Sequence, residues 1–340
     1  MRPDSRYLVV KGDQGLGNRI LSLLSGILLA RITERQLVVD WLDPFYSDGE
    51  RDPFPALLTL DASLPTAALD ALADEDSVRP AAWRGHLRDS AAAMRTRILG
   101  SGADGPRAWR PLSVELDRVD HPERVLVFTC YFEQIDPLRR HMTGALAPLR
   151  ALSSAAILGR LWSDHLRLAP GLADRVAAFR RAHFDRPTLG VHVRATDRRT
   201  RVEAIEAAAA RFVEADPQLR VFLASDNSDV VRHYRARFCD VVATEKWFPP
   251  AGERIHAHRA SPDRVRDAAD ALVDLHLLAV CDRLIVDSQS SFGRLAVLRS
   301  RAAQVIDLHP GRFLPAIVSR ALLRVRDAVV EARRAHRARS

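Results

Sequence analysis

Short runs of β-branched and aliphatic residues alternate with helix-like segments, and this alternation limits the fold more than any other feature of the chain. The predicted strands are YLVV (7–10), LVVDW (37–41), VLVFTCYF (125–132), TLGVHV (188–193), VFLAS (221–225), DVVAT (240–244), RLIVDS (283–288) and AQVIDL (303–308). The predicted helices cover residues 18–34, 152–183, 202–215, 228–238, 263–281, 291–300 and 313–335. This order predicts an α/β protein with mostly parallel sheets and helices on both faces.

The length of 340 residues exceeds one ordinary core and suits two α/β domains. The helical stretch 152–183, interrupted by Pro170 and Gly171, predicts the connection, with a boundary near residue 180. We expect an N-terminal α/β domain over 1–180, a C-terminal Rossmann-like domain over 181–320, and an arginine-rich helix and tail over 321–340. Residues 48–120 are rich in Pro, Asp and Gly, which predicts an irregular or helical insertion in the first domain.

The net charge of +8 and a pI near 10.2 raise the question of a nucleic-acid partner. Between Arg320 and Ser340, however, seven arginines face only Asp327 and Glu331, so most of the excess lies in the tail. No nucleic-acid-binding motif accompanies the charge, and we expect no nucleic-acid partner and only weak peripheral membrane contact through this tail. The sequence has neither a signal-peptide pattern nor a run of about 20 apolar residues, which predicts a cytoplasmic protein without a transmembrane segment.

The stretch TLGVHVR (188–194) predicts a buried strand that ends in two polar side chains. Side chains alternate along a strand, so His192 and Arg194 share one side. Ligands of open α/β sheets bind beyond the carboxyl ends of the strands, where Arg194 would lie if this strand is parallel and central. A guanidinium there matches a phosphate or pyrophosphate. The alternative is a surface arginine that follows a strand.

Two strand-to-helix turns are further candidates for an anion site. The first strand leads into a turn with Gly15, Gly17 and Asn18, where glycines let the backbone approach a ligand and the helix start offers free amides. The spacing GxxGxGN is neither the dinucleotide motif nor a phosphate loop, and a tight turn without a ligand explains it equally well. The strand RLIVDS leads into SQSSFGR (288–294), where hydroxyls and a helix start predict a second phosphate cradle. N-capping is the alternative for one of Ser290 and Ser291.

Two acidic side chains complete the candidates. Asp226 and Asn227 follow the strand VFLAS, and capping of the helix at 228–238 is the favoured interpretation of this pair. Asp274 borders the apolar face of the helix at 263–281, and a partly buried carboxylate there needs a partner. Two adjacent N–H donors of a guanine base would be one such partner, and an internal arginine is the alternative.

The sequence predicts no metal site. Asp74 and Asp76 have a DxD spacing of the kind that binds divalent metals, but they lie in a polar, strand-free stretch that we interpret as a solvated turn. His256 and His258 have no third ligand nearby. Three cysteines without a CxxC spacing argue against a zinc site and a disulfide framework.

Taken together, these stretches resemble the GDP-fucose fucosyltransferases, in the branch of the nodulation-factor fucosyltransferases and the α-1,6-fucosyltransferases of N-glycan cores. The similarity begins in GLGNRILSLLSGILLARITERQLVVDW and PFYSDGERDPFP. It returns in GVHVRATDRR, where the family has HVRRTDK, and continues in VFLASDN and ADALVDLHLLAVCDRLIVDSQSSFGRLA. Residues 55–185 carry little of it.

The resemblance implies the two-domain glycosyltransferase B (GT-B) fold, no metal or other cofactor, a GDP-fucose donor held mainly by the second domain, and a glycan acceptor. It implies that Arg194 holds the donor pyrophosphate with His192 beside it, that Asp274 binds guanine, and that Ser290 or Ser291 contacts the nucleotide. Gly15, Gly17, Asn18 and Asp226 complete the predicted donor site. The acceptor hydroxyl would attack the anomeric carbon with inversion, while Arg194 and helix amides neutralise the departing GDP.

The chain departs from the family pattern at two positions. Ala195 stands where core-glycan members have a second arginine, so one phosphate contact is missing or is supplied by Arg198 or Arg199. The catalytic glutamate of those members falls on Val202, which leaves Glu203 or Asp197 as the general base. These departures keep two alternatives open: a transferase that uses another nucleotide sugar, and a catalytically silent nucleotide- or glycan-binding member of the same fold.

Overall fold

The computed structural model describes residues 5–47, 51–72, 75–101, 108–195, 202–249 and 261–309. The strands are β1 Tyr7–Lys11, β2 Gln36–Asp40, β3 Leu58–Leu60, β4 Val78–Arg79, β5 Val125–Phe128, β6 Leu166–Leu168, β7 Thr188–Val193, β8 Arg220–Ser225, β9 Val241–Val242, β10 Arg283–Val286 and β11 Gln304–Asp307. The helices are α1 Leu16–Thr33, α2 Phe54–Leu57, α3 Ala91–Leu99, α4 Ile135–Arg139, α5 Ser154–His165, α6 Pro170–His183, α7 Val202–Ala215, α8 Ser228–Arg237, α9 Arg264–Ala279 and α10 Ser291–Arg299.

Two parallel sheets organise these elements, one in each half of the chain. The first has the order β2-β1-β5-β4 and the second the order β11-β10-β7-β8-β9. All of their strand pairs are parallel, as the alternation of strands and helices predicts. The predicted α/β class with mostly parallel sheets is therefore confirmed.

Each predicted strand is present, although four are shorter than expected. The strand predicted at 283–288 ends at Val286, and the one predicted at 303–308 covers Gln304–Asp307. The run at 125–132 forms only β5, which ends at Phe128, and the run at 240–244 forms only the two residues of β9. The helix expected over 152–183 is α5 and α6 with the short strand β6 between them. The helix predicted at 313–335 and the tail at 321–340 lie outside the described residues, and the domain boundary near residue 180 stays a prediction.

The expected insertion at 48–120 contains helices, as predicted, and two strands that the sequence did not suggest. The strand β4 joins the first sheet beside β5, and β3 pairs antiparallel with β6. Both strands are too short to show a period of two, which is why the sequence pattern does not mark them.

The strand β7 lies between β10 and β8 and is central in its sheet. On one side, Leu189, Val191 and Val193 pack with Ile205 of α7. On the other side Gly190 faces α9, where an added Cβ would lie 3.0 Å from the Sγ atom of Cys281. The strand is thus covered on both faces, and its carboxyl end opens toward the first half of the chain.

A hydrophobic core joins the two halves. It runs from α1 and the first sheet to residues of α9, β10 and α10. By length and composition α1 could span a membrane, but most of it is buried inside the fold, as is typical of a core helix. The helix α1 contacts α5 and also α10, the helix that follows β10 of the second sheet.

Candidate active site

The carboxyl ends of β10, β7 and β8 lie side by side at one edge of the second sheet. Arg194 follows β7 and is half-buried, and Asp226 follows β8. The Ala195 amide donates a hydrogen bond of 2.8 Å to the Asp226 carboxylate, which ties the two strand ends together. A parallel sheet of this kind binds ligands at this edge, so Arg194 stands where an anion would be held.

His192 lies beside Arg194 as a neutral, buried ring. Burial, together with the positive charges of Arg194 and Lys246, lowers the pKa of His192 to about 3. Its ring stacks on Phe292 at a centroid distance of 5.0 Å and an angle of 28°. Within the described ranges its buried Nδ1 atom has no hydrogen-bond partner. A neutral ring adds a hydrogen-bonding group to the site without adding charge.

The start of α10 lies against the same strand ends because Gly293 has no side chain. A Cβ atom there would lie 2.7 Å from the carbonyl oxygen of Asp287 and 3.4 Å from Nδ1 of His192. Ser290 is the N-cap residue, but its hydroxyl makes no capping hydrogen bond. Its Oγ atom is buried and unpartnered among the described residues. The capping alternative therefore fails for Ser290, and the helix start keeps a hydroxyl that a ligand could bind.

Ser291 is used differently, since it joins α10 to α1. Its hydroxyl donates a hydrogen bond of 2.8 Å to Oδ1 of Asn18, and Nδ2 of Asn18 donates to the carbonyl oxygen of Tyr131 at 2.7 Å. A Cβ atom on Gly17 would lie 2.5 Å from the Ser291 hydroxyl and 2.9 Å from the Phe292 amide nitrogen. Gly17 and Asn18, both predicted as donor-binding residues, thus hold the starts of two helices together.

Gly15 precedes α1 as its N-cap residue and is partly exposed at this junction. The amide of the next residue, Leu16, donates a hydrogen bond of 2.7 Å to the hydroxyl of Tyr46. Burial raises the pKa of Tyr46 to about 12, although the charges of Arg19 and Arg194 act against it. Arg194 of the second half therefore lies within electrostatic range of the first half at Tyr46.

Asp274 is buried and has two internal partners. Its Oδ1 atom accepts a hydrogen bond of 2.6 Å from the Thr244 hydroxyl, and Oδ2 is paired with the ammonium of Lys246. The internal partner is thus a lysine and not the arginine named as the alternative. Two of roughly four lone-pair positions of the carboxylate are occupied in this way.

Asn227 caps α8 as predicted, with its side-chain oxygen accepting from the amides of Asp229 and Val230 at 2.7 and 3.3 Å. The Asp226 carboxylate instead accepts the hydrogen bond from the Ala195 amide just after β7.

Buried ion pairs surround the glycine-rich turn and were not predicted from the sequence. Lys11 pairs with Asp40, Arg19 with Asp43, and Arg95 with Asp13, all with nearly inaccessible side chains. The Arg19 guanidinium also lies 4.6 Å from the centroid of the Tyr46 ring. One signal was present in the sequence: Arg19 lies in the first turn of the otherwise apolar helix α1, and a buried charge needs a partner.

The candidate general bases lie at the start of α7 or outside the described residues. Glu203 is exposed in the first turn of α7, the helix that follows β7. Asp197 lies outside the described residues, as do Arg198, Arg199, Asp74, His256 and His258. Across the described ranges, no group of three or more His, Cys, Asp or Glu side chains could hold a metal ion. All three cysteines are free thiols.

Two parallel α/β halves that meet at the starts of α1 and α10, with an arginine and a buried carboxylate beside the junction, define the GT-B class of fold. Comparison with known proteins shows which members of this class the chain resembles. The family model of nodulation protein Z (NodZ) matches residues 157–325, and the model of xyloglucan fucosyltransferase matches residues 2–82.

Relatives match nearly the whole chain. Nodulation protein Z of Azorhizobium caulinodans is 26% identical over 341 aligned positions, which cover 92% of this chain and 95% of that protein. The crystal structure of the fucosyltransferase NodZ from Bradyrhizobium superposes with a TM-score of 0.58 at 21% identity, over 90% of this chain and 96% of that one. A NodZ α-1,6-fucosyltransferase soaked with GDP-fucose gives a TM-score of 0.56 at 21% identity, over 87% and 93% of the two chains. The GT-B fold and the resemblance to GDP-fucose fucosyltransferases are thereby confirmed.

Proposed function

We propose that this protein is a glycosyltransferase that transfers fucose from GDP-fucose to a hydroxyl group of a glycan or glycoconjugate. The observation that carries the proposal is Arg194, at the carboxyl end of the central strand in a fold similar to NodZ along nearly the whole chain. This is the position from which a guanidinium neutralises a pyrophosphate.

The leaving group of the reaction is GDP, and its negative charge must be stabilised as the bond to fucose breaks. Arg194 supplies a permanent positive charge and a planar set of N–H donors. The first amides of α10 and the unpartnered hydroxyl of Ser290 supply further donors. His192 is uncharged, because burial and its cationic neighbours lower its pKa to about 3, so it contributes a hydrogen bond and not a charge. These groups are already in place before reaction, which is the arrangement that stabilises a transition state.

The guanine base would bind at Asp274, whose remaining lone pairs accept the two adjacent N–H groups of the base edge. The acceptor hydroxyl attacks the anomeric carbon from the opposite side, so the configuration inverts and the transition state has oxocarbenium character. Glu203 or Asp197 removes the hydroxyl proton. The acceptor lies on the side of the first half of the chain.

The proposed chemistry needs no metal, because Arg194 and the amides at the start of α10 stabilise the negative charge of the pyrophosphate that a divalent cation would otherwise stabilise. We further propose a cytoplasmic location and no nucleic-acid partner. The burial of α1, the described helix that has the length and composition of a membrane span, argues against a membrane-spanning role for this helix. Weak membrane contact through the tail at 321–340 remains part of the proposal.

The experiment that tests the proposal measures GDP release from GDP-fucose with and without a panel of glycan acceptors, in the presence of EDTA. Arg194→Ala is expected to lower kcat/KM by at least about 100-fold, the effect of losing one preorganised charge-stabilising donor. Arg232→Ala is the matched control, because Arg232 is exposed on α8 and, among the described residues, pairs only with Asp229 of its own helix. Its turnover should equal that of the wild type.

Three outcomes would contradict parts of the proposal. Turnover of another nucleotide sugar, with none of GDP-fucose, would refute the donor. If GDP-fucose binds but no acceptor stimulates the release of GDP, the protein would be a catalytically silent binding protein. This is the alternative that Ala195 and the position of Glu203 leave open. Loss of activity in EDTA that Mg²⁺ restores would refute metal independence.

A further inference from the structure

Lys246 and Asp274 form a buried ion pair at the edge of the candidate site. The side chains are 9% and 3% exposed. Lys246 follows β9, as does Thr244, so one short segment holds both oxygens of a carboxylate on α9. The Lys246 ammonium also lies 5.5 Å from the centroid of the Phe248 ring. The positive charge of Lys246 is also one of the causes that lower the pKa of His192.

The lysine at position 246 is informative because lysine is rare in this chain. Only Lys11 and Lys246 are lysines, and the other 49 basic residues of the combined Lys and Arg count are arginines. An arginine at position 246 would bind a carboxylate with two parallel N–H groups, one to each oxygen. A lysine ammonium bonds one oxygen and leaves lone pairs on both for a second partner. The pair observed here therefore fixes the carboxylate without saturating it.

We propose that Lys246 and Thr244 are positioning residues that orient Asp274 to accept two N–H groups from a guanine base. This inference rests on the proposed function, because it assigns Asp274 to the base of the GDP donor. Lys246 acts through Asp274 and needs no contact with the donor. Without it the carboxylate would be held only by the Thr244 hydroxyl at Oδ1, and Oδ2 would no longer be fixed in place.

The other charged groups near this part of α9 have their own partners or no charge. Asp270 pairs with Arg175 of α6, and Arg294 of α10 pairs with Glu133. His192 of β7 is neutral because its pKa is lowered to about 3. Arg220 of β8 pairs with Asp240 and Asp185 at the far end of its strand. Arg194, at the end of β7, acts electrostatically on His192 and on Tyr46. Lys246 is thus the cation bonded to Asp274.

The test compares the dissociation constants of GDP and IDP, which lacks the 2-amino group, by calorimetry. The wild type should prefer GDP by about 10-fold or more, the value of one hydrogen bond to a charged group. In Lys246→Met the carboxylate loses the contact that fixes Oδ2, so the preference for GDP should disappear. Lys246→Arg should bind GDP weakly, because the guanidinium occupies both oxygens.

Lys11→Met is the matched control, since it breaks the other buried lysine–aspartate pair, far along the chain in the first sheet. It should lower stability and leave the ratio of GDP to IDP affinity unchanged. Thr244→Val provides a second test that removes one neutral donor, and it should reduce the GDP preference by a few-fold. Unchanged GDP preference in both Lys246→Met and Thr244→Val would overturn the inference, as would tighter GDP binding by Lys246→Met. Failure of the wild type to bind GDP would instead overturn the proposed function.

Discussion

The contact between the starts of α1 and α10 leaves no space for a side chain at Gly17, and Gly17→Ala tests it. An added Cβ atom would lie 2.5 Å from the Ser291 hydroxyl and 2.9 Å from the Phe292 amide nitrogen. A side chain could turn away, but the backbone nitrogen cannot, so the two helix starts must separate. Overpacking of this kind costs about 1–3 kcal/mol. Replacing glycine with alanine in a helix returns at most about 1 kcal/mol.

The net expectation for Gly17→Ala is a loss of about 1–2 kcal/mol in the free energy of unfolding. For a chain of this size that loss lowers the Tm by roughly 1–3 °C. Because the separated helix starts border Arg194, the affinity for GDP-fucose should fall as well. Differential scanning calorimetry and donor titration measure both effects.

Gly171→Ala is a closely matched control. Gly171 is the second residue of α6, as Gly17 is of α1, and nothing lies within 4 Å of its added Cβ. The same substitution there should raise the Tm slightly through helix propensity alone. Adding Ser291→Ala to Gly17→Ala should recover only part of the loss, since the contact with the Phe292 nitrogen remains. If Gly17→Ala were as stable as Gly171→Ala, the two helix starts would not be in contact and the reasoning would fail.

Two further predictions concern charges near the same junction. In the folded protein the pKa of His192 is lowered to about 3, so the ring stays neutral. In the unfolded chain the same ring takes up a proton below about pH 6.5. The free energy of unfolding should therefore fall by about 2 kcal/mol between pH 7 and pH 5. Denaturant unfolding of His192→Gln should lack that part of the pH dependence, and equal slopes in both proteins would contradict it. Arg294→Met should lower the free energy of unfolding by about 2 kcal/mol or more, because it leaves Glu133 without its cation, and adding Glu133→Gln should recover most of the loss. A coupling energy near zero in this double-mutant cycle would show that the pair contributes nothing.

Local patterns were sufficient to predict the strands and helices that carry the site. The strand TLGVHV and the helix at 202–215 have the predicted bounds, because each shows a clear period over its whole length. The position of Arg194 at the sheet edge follows from the same pattern, together with the parallel order that alternation of strands and helices imposes.

Pairs between residues far apart in the chain could not be predicted from the sequence. The partner of Asp274 is Lys246, which reaches it only because β9 lies at the edge of the sheet beside β8. A need for a partner was apparent from the sequence, but its identity depends on which strand ends face α9.

Glycine is ambiguous in a similar way. Gly17 suggested a backbone that approaches a ligand, and the structure shows a backbone that approaches another helix. Both uses require only the absence of a Cβ atom, so the residue type cannot distinguish them. The assignment of individual residues to donor binding therefore stays a prediction until a ligand is bound.

The burial of both lysines has a practical consequence for labelling. Lys11 is paired with Asp40 in the first sheet, and Lys246 is paired with Asp274 beside the second. Reagents that acylate or crosslink side-chain amines should therefore react slowly with both lysines of the folded protein. Each half of the chain carries one such amine, so mass spectrometry of acylated peptides reports which half has opened. The arginine-rich composition thus makes amine chemistry a probe of local unfolding with one reporter in each half of the chain.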